Sequence, residues 1–194
     1  MNLVTEFEGA TTPGTLYPVP DENSFLDEAT GKPRDFIRAD ESLYTVVEAM
    51  AEKYSELDHI AKFKVGVMWK REGGESQGRL VFGKLVKPSG LLRYFCPWDF
   101  VVQLSADNCA NAKFTYFQIE ALIYRTLKHS DIRYDGKTGE TKAALRGPDF
   151  EGFLDELKRY GTWHSATQAI REVLQPGLFD AIERAEVAGT GYRQ

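Results

Sequence analysis

The chain has few of the residues that stabilise a fold through disulfide bonds or metal coordination. Its 194 residues include two cysteines and three histidines. Cys96 lies beside Pro97, and Cys109 lies in a segment rich in Asn and Ala. Two cysteines in such unlike contexts do not form a disulfide framework. We therefore expect both thiols to be reduced and structural.

Long apolar runs and an excess of positive charge are also absent. No apolar run approaches the roughly 20 residues that cross a bilayer, which excludes a membrane protein. The first residues, through Glu8, are acidic where a signal peptide would be basic and apolar, so we expect a cytoplasmic location. The net charge of −5 argues against broad nucleic-acid binding.

The length suits one domain of ordinary size with an additional arm. Residues 1–40 combine several prolines and glycines with acidic residues, a composition that predicts an extended N-terminal arm covering the core. We predict the main domain over residues 41–164, and a helical segment with a frayed tail over 165–194. The oligomeric state is not predicted by any feature of the sequence.

Hydrophobic periodicity predicts an α+β fold, with a small mixed or antiparallel sheet and amphipathic helices packed on it. A helix is expected between Asp40 and Asp58, followed by a strand over 61–69 that forms a hairpin with a return strand over 78–86. A third strand is expected over 99–104 and a loop over 105–113. Residues 130–145 contain two turn signals and predict a short β-hairpin or a mobile loop.

One helix, predicted over residues 114–129, organises the rest. Thr115 and Gln118 have the spacing of a capping box, and Phe114 and Ile119 that of a hydrophobic staple. Within this helix, residues 125–129 have the spacing of the zinc-binding H-E-x-x-H motif but read Arg-Thr-Leu-Lys-His. Only His129 retains a metal-binding side chain.

Two further motifs lie downstream, Asp149-Phe150-Glu151-Gly152-Phe153 and Arg159-Tyr160-Gly161-Thr162-Trp163. With the helix they resemble the metallopeptidase-like domain family of bacteriophages, which implies a zincin-like fold over residues 41–164. In that pattern, Arg125 replaces the first zinc-binding His, Thr126 the Glu that activates water, and Pro148 a downstream His.

These replacements remove the chemistry that the resemblance implies. A guanidinium has no lone pair for a cation, Thr126 is no general base near neutral pH, and Pro148 has no ligating side chain. We therefore expect a pseudo-metallopeptidase with no catalytic residue, no metal and no cofactor. The leading hypothesis is a protein-binding module that engages a host or phage protein, including inhibition of a host defence or host enzyme.

The binding surface is expected at the former active-site region, formed by Arg125, Thr126, Lys128, His129, Asp149 and Glu151. The hairpin over 130–145, Tyr94 with Trp98, and the N-terminal arm are further candidates for the contact, although each aromatic ring is better explained as core.

Two alternatives stay open. A metal-dependent hydrolase with a rearranged site would use His129, Asp131, Asp149 and Glu151. A nucleic-acid-binding accessory protein would use basic residues of the predicted hairpin, namely Lys62, Lys64, Lys70, Arg71 and Lys84.

Overall fold

A computed structural model describes Phe7 and residues 14–148 of the chain. The described residues up to Arg146 belong to one compact unit. Helices are α1 (Glu41–Lys53), α2 (Leu92–Phe95), α3 (Ala106–Asn111) and α4 (Tyr116–Leu127). Strands are β1 (Phe36–Arg38), β2 (Val65–Lys70), β3 (Glu75–Ser76), β4 (Arg79–Leu80), β5 (Gly83–Val86), β6 (Phe100–Ser105), β7 (Ser130–Tyr134) and β8 (Thr141–Leu145). The helices predicted beyond residue 148 lie outside the described residues.

The main sheet is mixed and has the strand order β1-β2-β6-β5. Strands β2 and β6 run parallel, from Val65 opposite Phe100 to Lys70 opposite Ser105, whereas β1 and β5 are antiparallel to their neighbours. The predicted hairpin between the strands over 61–69 and 78–86 is therefore wrong, because β6 lies between β2 and β5. A small separate hairpin, β3 with β4, occupies the connection instead.

The turn of the β3–β4 hairpin explains that local structure. Gln77 and Gly78 both have positive φ, 51° and 72°. Positive φ at both central residues defines the two-residue turn whose twist matches that of paired strands. The polar, glycine-rich stretch is thus a hairpin turn, as predicted, but the turn connects two-residue strands.

The hydrophobic core lies between one face of the sheet and helices α1 and α4. Every second residue of β2 faces it, so Val67 and Trp69 are buried, and the same alternation buries Leu104 on β6. Both helices contribute stripes at three- and four-residue steps: Leu43, Val46, Val47 and Met50 from α1, and Ile119, Ile123 and Leu127 from α4. Within the part of the chain that is described, no helix is long and apolar enough to cross a membrane.

The N-terminal segment is more ordered than an extended arm. It contains a 3-10 turn at Glu22–Phe25, buries Phe25 completely, and supplies the edge strand β1. Two apolar side chains of this segment, Leu26 and Phe36, are exposed.

Of three other predictions, two are wrong and one is confirmed. The first helix ends at Lys53 and is followed by a 3-10 turn at Ser55–Lys62. The predicted loop over 105–113 contains helix α3. The hairpin over 130–145 is confirmed, with β7 antiparallel to β8.

The two cysteines are free thiols. Cys109 is fully buried, and burial raises the pKa of its thiol to about 12, with the Asp107 carboxylate adding to the effect. A thiol with so high a pKa is a poor nucleophile at neutral pH. Cys109 is therefore a core residue, and Cys96 is only half-buried.

Replacing Thr115 by Ala is expected to destabilise the protein by about 1 kcal/mol, because the N-cap hydroxyl accepts from the Gln118 amide and is lost. Urea denaturation measures the change. Thr115→Ser retains the hydroxyl and serves as the matched control. Equal stability of Thr115→Ala and wild type would show that the cap contributes nothing.

Candidate functional site

The start of α4 is built as the sequence predicts. The Thr115 hydroxyl accepts from the Gln118 amide at 3.3 Å, and the Gln118 side-chain oxygen accepts from the Thr115 amide at 2.9 Å, completing the capping box. Ile119 and Ile123 of α4 are buried in the core. Because residues of a helix are related by a fixed rotation, burial of this face determines the direction of Arg125 and Thr126.

The end of α4 departs from the prediction, because the helix stops at Leu127 and His129 lies in the turn before β7. The Ser130 hydroxyl donates to the Leu127 carbonyl at 2.6 Å and satisfies one of the acceptors that a helix end leaves open. Since that hydroxyl has a single proton, it accepts from Nε2 of His59 across a 2.7 Å hydrogen bond. Ser130 thus closes the helix two residues before the predicted end.

His59 therefore acts as a structural residue. Its ring belongs to the 3-10 turn after α1 and reaches Ser130, which is buried. The contact connects the turn after α1 to the turn after α4.

Thr126 occupies the position of the water-activating Glu and is buried. Its hydroxyl donates to the Leu122 carbonyl at 2.7 Å, so the oxygen is directed back along its own helix. A Cβ placed on Gly83 would lie 3.1 Å from this oxygen and 3.0 Å from the Leu122 side chain. Strand β5 therefore packs directly on Thr126.

Arg125 and His129 line a cleft of about 220 Å³ together with Thr126, between α4 and the β3–β4 hairpin. Arg79 from the hairpin forms the opposite wall. None of the described residues that line this cleft carries a carboxylate. Arg79 and Arg125 form no ion pair with another described residue, so the cleft is cationic.

His129 contacts the chain on its other side. Its Nδ1 lies 3.1 Å from the Arg146 carbonyl oxygen, and its own carbonyl accepts from the Arg146 amide at 2.9 Å. This ladder step continues the β7–β8 pairing by one residue and holds the imidazole beside β8. The backbone thus determines the placement of His129 together with the hairpin.

Lys128 does not line the cleft. It follows the last helical residue, where a cation interacts favourably with the helix dipole. Its charge lies near Glu56, whose pKa is lowered chiefly by the hydrogen bond from Tyr124 and further by Lys128. The Tyr124 hydroxyl is 2.6 Å from the Glu56 carboxylate, which raises the pKa of Tyr124 to about 12.

The remaining predicted ligands are not brought into this cleft. Asp131 is exposed, and its carboxylate accepts from the neighbouring Ile132 amide at 2.8 Å. Asp149 and Glu151 lie outside the described residues. Across residues 14–148 and Phe7, no group of three His, Cys, Asp or Glu side chains could hold a metal ion.

The residues present do not fit the zinc ion that an H-E-x-x-H helix holds. A catalytic zinc site takes three protein ligands and an open position. Arg125 is cationic at the position of one ligand, Thr126 is bonded into the helix, and Arg79 adds a second positive charge. The described part of the cleft favours an anion over a cation.

The basic residues of the predicted hairpin are dispersed. Lys62 lies in the 3-10 turn before β2, while Lys70 and Lys84 lie on one face of the sheet through the register of β2, β6 and β5. Arg71 forms an ion pair with Glu72 at 3.0 Å. Lys64 directs its backbone amide to the Asp99 carboxylate.

The two candidate aromatic residues differ in role. The Trp98 ring packs on Gly66, where an added Cβ would lie 2.3 Å from a ring atom, so Trp98 is a packing residue. Tyr94 is 87% exposed and is available for contacts.

Sequence reasoning missed Arg79 and the whole β3–β4 wall of the cleft. Arg79 lies four residues before the start of β5 in the sequence, but its approach to α4 depends on long-range strand pairing. The turn signal at Gln77-Gly78 was the only local indication that a hairpin precedes the edge strand.

A mixed sheet with helix α4 packed on its edge strand is compatible with a metallopeptidase-like fold. A family model described as "Putative phage metallopeptidase" matches residues 34–174. Because the match covers more than half of the 194 residues, the chain belongs to this family. No curated protein and no solved structure matches the chain significantly.

Replacing Thr126 by Glu, the residue of the active motif, is expected to cost about 2 to 4 kcal/mol of unfolding free energy. The carboxylate would enter a site already filled by β5 at Gly83. Chemical denaturation measures the loss. Thr126→Val keeps the branched shape and should cost less than about 1 kcal/mol, and Arg125→His on the exposed face should change stability by less than about 0.5 kcal/mol. A Thr126→Glu variant as stable as wild type would show that this site is open.

Proposed function

We propose that the chain is a catalytically silent, zincin-like member of its family that acts as a protein-binding module in the cytoplasm of the host cell. The partner is a host or phage protein, and inhibition of a host defence or host enzyme is the proposed outcome. The observation that carries the proposal is the replacement of the metal-binding and water-activating positions by Arg125 and by a buried, internally bonded Thr126.

The charge of the former active-site cleft supports binding of an acidic group. Arg79 and Arg125 carry fixed positive charges, and no carboxylate among the lining residues neutralises them. Arginine presents five donors in a planar fork that matches a carboxylate. The cleft therefore suits an Asp or Glu side chain of a partner, or a carboxyl terminus.

The geometry of β5 supports a polypeptide as the occupant. The Ser105 amide donates to the Phe82 carbonyl, which sets the alternation of the antiparallel pair, so Gly83 and Leu85 direct their backbone groups away from β6. This outer edge begins at the cleft, where Gly83 is a lining residue. An extended segment beside β5 would pass Arg125 and Arg79.

Retained hydrolysis at a rearranged site is the second candidate function. Its support is the presence of His129 in the cleft, with Asp149 and Glu151 following the hairpin in the chain. Stoichiometric metal that depends on His129 would favour this alternative.

Nucleic-acid binding by Lys62, Lys64, Lys70, Arg71 and Lys84 remains the third candidate. The neutralising pair of Arg71 with Glu72 and the position of Lys62 on another element count against one continuous basic track. A gel shift whose strength falls steeply with salt would favour it.

Protein purified without a chelating tag from zinc-supplemented medium is expected to contain far less than one equivalent of zinc by elemental analysis. A bound structural or catalytic ion would stabilise the folded state, and its removal by EDTA would lower the melting temperature. We expect the melting temperature to be the same with and without EDTA, because no ion is bound. His129→Ala should have the same low metal content as wild type. One equivalent of zinc that is lost in His129→Ala would contradict the silent-scaffold proposal.

A binding partner recovered from host lysate by the wild-type protein is expected to be lost with Arg125→Glu, because the substitution reverses the charge at the cleft. Quantitative mass spectrometry of matched pull-downs measures the loss. Lys62→Glu changes charge equally at an exposed position that does not line the cleft and should retain the partner. Equal recovery with Arg125→Glu would remove the cleft as the binding surface.

A further inference from the structure

A long groove lies beside strand β8. Two cavities of about 760 and 470 Å³ share Lys87, Lys142 and Ala143 as lining residues, so they form one continuous depression between β8 and the chain after β5. We call this depression, lined along one side by Thr141, Ala143 and Leu145, the β8 groove. It is separate from the cleft at Arg125, with which it shares no lining residue.

The outer edge of β8 faces the groove. The Asp135 amide donates to the Glu140 carbonyl, and the Arg146 amide donates to the His129 carbonyl, which fixes the hydrogen-bonded positions at both ends of the β7–β8 pair. In an antiparallel pair the intervening residues direct their N–H and C=O groups outward. These residues are Thr141, Ala143 and Leu145, and all three are among the residues that line the groove.

No strand among the described residues pairs with this edge, because β7 and β8 form a two-stranded sheet. Backbone donors and acceptors on an unpaired edge recur at every second residue and match an extended polypeptide. The edge of β8 is therefore a preformed template for one more strand.

Apolar side chains stand at one end of the groove. Tyr94 lines it, and its chain neighbours Leu91, Leu92 and Phe95 are between 69% and 80% exposed. Contiguous exposed apolar side chains of this kind mark binding surfaces on soluble proteins.

The segment that carries these side chains is anchored to the fold. Arg93 forms an ion pair with Asp99 and donates to the Trp98 carbonyl at 2.9 Å. Trp98 in turn packs on Gly66 of β2. The segment that carries the apolar side chains is thus fixed to the rest of the fold, which reduces the conformational entropy lost on binding.

The charge of the groove selects the chemistry of its occupant. Lys87, Arg133 and Lys137 line it and form no ion pair with any described residue. The carboxylate of Asp135 is already bonded to Lys142 at 2.7 Å, an interaction that lowers the pKa of Asp135 to about 2. Unpaired cations therefore dominate, and they complement an acidic occupant.

We propose that the β8 groove binds an acidic, partly apolar polypeptide segment of a partner protein, which adds to β8 as an antiparallel or parallel strand. Its carboxylates meet Lys87, Arg133 and Lys137, and its apolar side chains meet Tyr94 and Leu145. This inference rests on the proposed function only in taking the partner to be a protein, because the groove is distinct from the cleft.

A nucleic acid or a membrane fits these observations less well. The unpaired backbone edge offers donors and acceptors at strand spacing, which phosphates and lipid headgroups do not match. The groove is also concave, whereas a bilayer contacts protruding surfaces.

The test uses the full-length protein and a displayed library of random twelve-residue peptides. The selected pool should be enriched in Asp and Glu alternating with aromatic or branched residues, and depleted of Lys and Arg. Binding of the best peptide, measured by fluorescence anisotropy, should weaken about tenfold or more in Thr141→Pro, which lacks the outward N–H. Amide hydrogen exchange at Ala143 and Leu145 should slow when the peptide is bound.

Thr141→Ala keeps the amide and should bind as wild type does. Lys87→Glu with Lys137→Glu reverses the groove charge without touching β8 and should also weaken binding about tenfold, against Lys62→Glu as the control. A selected pool without enrichment in Asp and Glu would overturn the inference. So would peptide binding that is unchanged both in Thr141→Pro and in the double variant Lys87→Glu with Lys137→Glu. So would binding of a single-stranded oligonucleotide or of anionic phosphatidylglycerol vesicles that the same variants abolish. Arg125→Glu should leave peptide binding unchanged. The test of the β8 groove is therefore independent of the test of the cleft at Arg125.

Discussion

The close approach of helix α4 to edge strand β5 at Gly83 determines how the cleft at Arg125 is built. With no side chain on Gly83, the strand lies against Leu122 and Thr126. Protein interiors are packed as densely as organic crystals, so even a methyl group added at Gly83 would crowd both side chains. The contact directs Thr126 inward and leaves Arg125 exposed on the cleft side. A longer acidic side chain at position 126 would have to push the helix off the sheet.

A second constraint holds the end of the same helix. In a metal-binding helix, an ion joins residues of the last turns to other parts of the fold. Here the hydrogen bonds from His59 to Ser130 and from Ser130 to Leu127 join three elements without an ion. Because water would otherwise bond these polar groups, the net stabilisation from each hydrogen bond is modest, about 1 kcal/mol. The arrangement explains why the helix ends before His129 and why the imidazole faces Arg146.

Local features of the chain were predictable from sequence, and features that depend on distant contacts were not. The capping box at Thr115 and the hairpin over 130–145 rest on a few neighbouring residues, and both are confirmed. The parallel pairing of β2 with β6 joins residues far apart in the chain, so alternation alone placed the return strand beside the wrong neighbour.

The site shows the same division. The motif positions at Arg125 and Thr126 were visible in sequence, and the structure places both beside one cleft. Arg79 and the contact from His59 to Ser130 were not, because they depend on tertiary packing. The helix end was misplaced for that reason, since periodicity continues through His129 while a side chain at Ser130 ends the helix.

The cations beside β8 bear on self-association as well as on recognition. An open strand edge is a liability, because two copies of a protein can pair their edges and aggregate. Pairing β8 with a second β8 would bring together two hairpins that each carry Arg133 and Lys137 without an ion-pair partner among the described residues. Like charges on adjacent strands destabilise such a pair. The same charges favour an acidic strand, so one set of residues opposes the wrong occupant and attracts the right one. Specificity of this kind comes from repulsion between two copies of β8 as much as from attraction between β8 and an acidic strand.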